Sequence, residues 1–356
     1  MKRLASSIIL CSLLVLCACQ SAMEDHSGDS DARLLVNLDV SVALSDVSDA
    51  LTRAAEDAGA ANDNEKMKTL RIVIVRPNWM VEANRFIDLK EAASLKRELE
   101  RFRVVGNEWK RIYLFVNENS TILNQPTNQL RKLVDFDMAH GIQEGGYFPV
   151  NAIDMLKIRL EGNTEQIDGP LPMSEKHEVF VTKEPEQSCD LFVTRAAVKF
   201  TFHIKNLSNN SITLDKLTID KMASEEWYMP RATYADPNEQ GQREITDYDV
   251  PNGVGYYTYT TSVHNNDVAG KEETDLPPIY LLEGKYTEDP DNNGHNYSIG
   301  ISINGIEKKH YLPELESLPR NTHVVVNITC DDSEVTFDVD VIPYAIQDLD
   351  PIFGLN

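Results

Sequence analysis

The sequence predicts a mostly β chain built as two antiparallel β-sandwich domains, with a few short helices in the first. Three observations carry that reading. Runs of alternating apolar and polar residues recur along most of the chain. Turn residues interrupt them at short intervals, which fits stacked antiparallel sheets better than strand–helix–strand units. The length, 356 residues of which 42% are hydrophobic, is enough for two domains each burying its own core.

The first residues stand outside that fold. Lys2 and Arg3 form a short positive start, and Leu4 to Leu16 is mostly apolar but too short to cross a bilayer as a helix, so it reads as a secretion signal. The signal ends in Leu16-Cys17-Ala18-Cys19. A leucine three residues before a cysteine, with a small residue just before it, resembles the lipobox of bacterial lipoproteins. The resemblance implies that residues 1–18 are a signal peptide cut away before Cys19. Cys19 then carries diacylglycerol and an amide-linked acyl chain such as palmitate. At about 0.8 kcal/mol for each buried CH2 group, two acyl chains already give stable anchoring. Residues 19–33, rich in Ser and Asp, read as a lipidated flexible tether. The first sandwich domain is expected over 34–185 and the second over 186–356.

Composition narrows the function classes. The chain carries a net charge of −23 at pH 7, and loss of the signal removes Lys2 and Arg3, leaving it more acidic still. That excess argues against binding nucleic acid or anionic lipid through a basic face.

Taken in order, Val36, Leu38, Val40 and Val42 alternate with polar residues and predict a strand. Ser45 to Asn64 reads mainly as linker. Leu70 to Val75 is the next strand, closed by Pro77. Leu95, Leu99 and Phe102, among charged residues, predict an amphipathic helix, and Arg111 to Val116 a strand. Leu130, Leu133 and Val134 predict a second helical patch over 128–138. Leu156 to Leu160 and Glu178 to Thr182 read as strands. From Cys189 the pattern is nearly pure β: 191–204, 212–219, 255–263, 279–282, 297–303, 323–329 and 335–342.

No constellation for catalysis emerges. The eight histidines show no ligand spacing, and there is no nucleophile elbow or phosphate loop. Asp289 to Gly294 begins like a calcium loop, but Gly300 stands where a bidentate glutamate is needed, so a solvated turn is the better reading. Acid pairs such as Glu225-Glu226 and Asp331-Asp332 lie in polar runs and read as surface. The expectation is a protein without enzyme activity, cofactor or metal.

Several stretches together resemble the fimbrillin-like lipoproteins of type V pili. Pro172-Met173-Ser174 precedes Thr194-Arg195-Ala196-Ala197-Val198-Lys199, as in their "PMS" turn and "TRAxxK" strand. Leu70 to Val75 resembles their first strand after processing. Arg320-Asn321-Thr322-His323-Val324 resembles "RNxxY", with Val324 in place of tyrosine. Tyr280-Leu281-Leu282-Glu283 resembles "YxPEN", with Leu282 in place of the proline and Gly284 of the asparagine. The resemblance implies two transthyretin-like sandwiches. It also implies assembly in which an arginine-specific protease removes the first strand and another subunit's C-terminal strand fills the groove.

On that scheme Arg53 is the candidate cleavage site, and the candidate donor strand is Val335 to Ile342, with Val335, Phe337, Val339 and Val341 as its apolar residues, continuing through Tyr344 to Leu355. About five buried apolar side chains, at roughly 1.5–3 kcal/mol each, would contribute on the order of 7–15 kcal/mol, less the costs of association. The implied product is a structural or anchor subunit of a surface-exposed fimbrium supporting cell adhesion. It would be held in the outer membrane by its lipid, with other fimbrial subunits and host-surface ligands as partners. The rival reading is a monomeric surface lipoprotein that binds glycan or host protein through its sandwich face. Trp227, Tyr228 and Tyr256-Tyr257-Thr258-Tyr259 are its candidate aromatics. Cys189 and Cys330, the cysteines left after processing, pair if their strands are antiparallel neighbours, a bridge that would stabilise through loop closure.

Overall fold

A computed structural model of the chain describes residues 34–44, 63–89, 98–125, 127–239, 243–250, 254–286, 297–312, 315 and 317–343. The first group of strands comprises β1 (Leu35–Leu44), β2 (Thr69–Val75), β3 (Val81–Asp88), β4 (Glu98–Val105), β5 (Glu108–Val116), β6 (Thr121–Asn124) and β7 (Gln129–Lys132). Two short helices follow, α1 (Met138–Gly141) and α2 (Val150–Asp154). Then come β8 (Lys157–Arg159), β9 (Glu165–Asp168), β10 (Met173–Val181) and β11 (Glu186–Arg195). The second group begins with β12 (Val198–Asn206), β13 (Ile212–Ala223), β14 (Glu225–Trp227), β15 (Ala232–Tyr234) and β16 (Ile245–Tyr248). It ends with β17 (Tyr256–Val268), β18 (Glu273–Leu281), β19 (Tyr297–Ile303), β20 (Ile306–Leu312), β21 (Thr322–Cys330) and β22 (Val335–Pro343).

Seven strands form one sheet in the order β3-β2-β5-β10-β11-β1-β4. Between β10 and β11 the ladder is short, pairing Met173 with Arg195 and Ser174 with Thr194, and there the sheet turns over on itself. The two arms enclose a core that mixes Val36, Leu38 and Val40 from one with Leu70, Ile72 and Leu114 from the other. The second sandwich stacks the sheet β18-β12-β21-β22 on β17-β13-β19-β20. Its core holds Phe200, Phe202, Val324 and Val326 against Leu214, Leu217 and Ile299, and continues onto the other face of β5 through Tyr113 and Phe115.

Both sandwiches follow one plan. β1 lies between parallel β11 and antiparallel β4, and β12 lies between parallel β21 and antiparallel β18. The sandwiches are therefore not wholly antiparallel. A period-two pattern marks which face is buried but carries no information on strand direction, which is why the parallel pairs were invisible in the sequence.

Other expectations change. Part of the helix expected at Leu95, Leu99 and Phe102 is strand β4: Phe102 and Val104 are buried, Arg101 and Arg103 exposed, and Leu99 points outward at 62% exposure. Leu95 lies outside the described residues. Within the 128–138 patch, 129–132 is strand β7, paired in a hairpin with β6 and preceded by Asn128 at φ 51°. Leu130 is exposed there, and the first residue of α1, Met138, follows a cap in which Asp137 Oδ1 accepts from the Ala139 and His140 amides. The run 191–204 breaks at Ala196-Ala197, where the chain passes from the seven-stranded sheet to the next. β11 thus pairs with the first sandwich, on the N-terminal side of that passage. Asp289 to Gly294 lies outside the described residues.

Candidate functional site

β1 fills a slot next to the end of its sheet, between β11 and the edge strand β4. It runs beside β11 from Asn37↔Glu186 to Leu44↔Val193, and against β4 from Leu35↔Val105 to Val42↔Glu98. Val36, Leu38, Val40, Val42 and Leu44 point inward and are at most 4% exposed. On the outer face, Arg101 Nε donates to Asp39 Oδ1 at 2.7 Å and Nη2 to Oδ2 at 2.8 Å. Arg101 also lies 3.2 Å from Glu186, to which Asn37 donates at 2.7 Å. The hydrogen bonds from Arg101 hold the Asp39 carboxyl below its usual range. A strand with this many buried side chains, contributed by residues ahead of the rest of the fold, is the feature that strand exchange would use.

The candidate donor residues sit at the opposite end of the chain. β22 is the edge strand of its sheet, antiparallel to β21 from Cys330↔Val335 to Thr322↔Pro343. Val335, Phe337, Val339 and Val341 pack against the second core but are only half-buried. Cys19 and Arg53 lie outside the described residues. Cys189 and Cys330 are free thiols buried in separate cores, on β11 and β21 of different sheets. The strand adjacency that a bridge requires is absent, and burial pushes the Cys189 thiol up to about 12.

The quoted motif residues converge elsewhere, on a buried polar junction between the two sandwiches. The Ala196 amide donates to Pro172 O at 2.9 Å, the Asn321 amide to Ala197 O at 2.8 Å, and Arg195 Nη1 to Asn321 Oδ1 at 3.2 Å. Arg320 Nε and Nη2 both donate to Glu283 Oε1, at 2.8 and 2.7 Å, and its amide donates to Glu283 Oε2. The same guanidinium reaches the carbonyls of Trp227 and Tyr228, while the Glu283 amide donates to Glu226 Oε2 at 2.7 Å. At the near side, Glu65 Oε1 takes Tyr280 Oη at 2.8 Å and lies 2.6 Å from Lys199 Nζ. Glu65 stands just before β2, so the start of the first sandwich's core strand is tied to β12 and β18.

Burial sets the charge states here. Burial works against the Arg320 charge, but Glu283 and Glu226 more than offset it. Burial also pushes Glu226 far above the usual carboxylate range, and the neighbouring Glu283 adds to this. Glu226, expected at the surface, is 1% exposed. Its partners lie more than fifty residues away in sequence, so nothing local signals its burial. Glu175, fully enclosed, is raised by burial to about 7, although Tyr248 Oη donates to it at 2.7 Å and Thr194 Oγ1 at 3.2 Å.

That shift gives a pH prediction. The unfolded carboxyl titrates near 4.5 and the folded one near 7, so across that window the folded state holds a proton the unfolded state has lost. Stability therefore falls as pH rises from about 4.5 to 7, by on the order of 3 kcal/mol. Glu175→Gln, which keeps an acceptor for Tyr248 and Thr194, should gain that amount relative to the unsubstituted chain between pH 5 and pH 8. Paired urea titrations at the two values check it.

Among the described residues no cluster of three or more metal-ligating side chains occurs, and no helix is long and apolar enough to cross a membrane. Of the aromatics that suggested a binding face, Tyr228 and Tyr259 are fully buried, Tyr256 and Tyr257 are partly buried against the second core, and the Trp227 ring carries Arg231 at 3.8 Å and Lys157 at 4.7 Å from its centroid.

No family model and no curated protein matches the chain. Solved structures do. The tip fimbrial protein Mfa3 from Porphyromonas gingivalis, with C-terminal truncation, aligns at a TM-score of 0.50 and 12% identity, over 86% of this chain and 99% of that one. A candidate cell adhesion protein from Parabacteroides distasonis aligns at 0.50 and 13%, over 87% and 97%. At such identities the likeness is one of fold: this chain shares the fold of these two proteins.

Proposed function

We propose that the chain is a lipid-anchored structural or anchor subunit of a fimbrium. It is held in the outer membrane through Cys19, joins other fimbrial subunits by strand exchange and supports cell adhesion. The observation that carries the reading is the place of β1. Its five inward side chains complete the first core, yet it joins β2 only through residues 45–68, which include Arg53. A cut there would free β1 to leave and expose an unpaired edge on β11 and β4, a template for an added strand. The fold shared with a tip fimbrial protein supports the same reading.

The test is direct. The mature surface protein, treated with an arginine-specific protease, should show a new N-terminus at residue 54 and run as a ladder on mildly denaturing gels. The Arg53→Ala chain should stay monomeric. A processed chain that remains a monomer would refute strand exchange.

A further inference from the structure

We propose that Glu82 and Arg85 on β3 are positioning residues that keep β4 in place as the outer wall of the β1 slot after β1 has left. This rests on the strand-exchange reading and adds what preserves the slot while it is empty. β3 and β4 are the two edges of the seven-stranded sheet, and each has one ladder partner, β2 for β3 and β1 for β4. Departure of β1 therefore removes the whole ladder of β4. With it go the ion pair from Arg101 to Asp39 and the bond from the Gly106 amide to Leu34 O. A strand left in that condition has unpaired backbone and no ladder to fix its place.

Side chains of β3 supply the missing hold. Glu82 Oε1 accepts from the Val105 amide at 2.6 Å, and Arg85 Nη1 donates to Glu100 Oε2 at 2.7 Å and to Arg101 O at 3.3 Å. The Arg85 guanidinium also lies 4.9 Å from the centre of the Phe102 ring, which is buried. As β3 advances from 82 to 85, its contacts on β4 step back from 105 to 101. That is the order of an antiparallel pair, but among the described residues side chains bridge the two strands where a ladder would.

The hold does not depend on β1. Lys110, with 0% side-chain exposure, donates to Glu82 Oε2 and, at 2.7 Å, to Glu108 Oε1. Arg76 in turn donates to both oxygens of Glu108, at 2.8 and 2.9 Å. The Glu82 carboxylate is thus fixed from within the fold, by β5 and the turn after β2, while its other oxygen takes the β4 amide. None of these groups belongs to residues 34–44. A wall fixed in advance spares an incoming strand the entropy of ordering it. If the side chains only kept the two edges from pairing with other molecules, they would have no bearing on how well a strand fills the slot.

After cleavage at Arg53 and removal of the N-terminal fragment, the chain can be titrated with a labelled peptide of residues 34–44, at concentrations too low for polymers. The unsubstituted chain should bind the peptide. Arg85→Ala and Glu82→Gln should each weaken binding about tenfold or more, and the amides of β4 should exchange faster with solvent in the peptide-free variants. In the uncut chain Arg85→Ala should leave the urea midpoint nearly unchanged, because the Arg85 side chain is 48% exposed and the β1 ladder then holds β4. That split separates a positioning role from a general loss of stability. Arg85→Lys, which keeps the charge beside Glu100, should restore part of the binding. Binding unchanged by both substitutions, or an uncut Arg85→Ala chain destabilised as much as its peptide binding is weakened, would overturn the role of β3 while strand exchange stood. If the N-terminal fragment cannot be removed without unfolding the chain, or the freed unsubstituted chain takes up no peptide, both readings fall.

Discussion

Arg320→Ala is expected to lower the free energy of unfolding by about 3–5 kcal/mol, seen as a fall in the urea midpoint at an unchanged slope. The guanidinium is buried to 2% side-chain exposure and serves Glu283, Glu226 and two carbonyls at once. Removing it strands a buried acid pair and leaves acceptors that water cannot reach, and it is this abandoned charge that makes the loss large. Arg320→Lys keeps the charge but not the planar fork, so it cannot reproduce the contacts to Glu283 and the Trp227 carbonyl together. It should fall between the two. Arg320→Met combined with Glu283→Leu and Glu226→Leu removes the buried charges together and should recover part of the loss, but not all of it, because the Arg320 and Glu283 amides then lose their carboxylate acceptors. A loss below about 1 kcal/mol for Arg320→Ala would mean that the cluster is wetter than its burial indicates.

This junction changes the meaning of the motifs. Read along the chain, Pro172-Met173-Ser174, Thr194 to Lys199, Tyr280 to Glu283 and Arg320-Asn321 point to a family and to assembly. In space they meet where the first sandwich joins the second, through Ala196 on Pro172, Arg195 on Asn321, and Tyr280 and Lys199 on Glu65. They hold the two units together at the end of β11, the strand that forms one wall of the β1 slot. The sequence could not reveal this, because each contact pairs residues far apart along the chain and a local pattern reports only which face is buried. Strand β1 was legible because its alternation is unbroken. Strand β4 was misread because Leu95, Leu99 and Phe102 also fit a helical spacing, and the neighbour that settles the matter, β1, lies some sixty residues upstream. Glu226 looked like surface because acids in polar runs usually are. Cys189 and Cys330 each end up inside a core, and no sequence feature says that the cores differ.

Leu38→Ala is expected to cost about 2–5 kcal/mol, the range for emptying a buried leucine site, whereas Asp39→Ala should shift the denaturation curve little. Leu38 is 1% exposed among side chains from both arms of the sheet, so truncation opens a cavity in the packed core. Asp39 is next to it but faces outward, and its partner Arg101 is 59% exposed, where solvent screens the pair and ordering the long side chain offsets most of the gain. The contrast bears on exchange. If packing holds β1, any strand proposed to replace it needs the same apolar stripe. Raising the salt concentration should then leave stability nearly unchanged. Should Asp39→Ala instead cost more than Leu38→Ala, the slot is held by charge, and any acidic strand of the right length could occupy it.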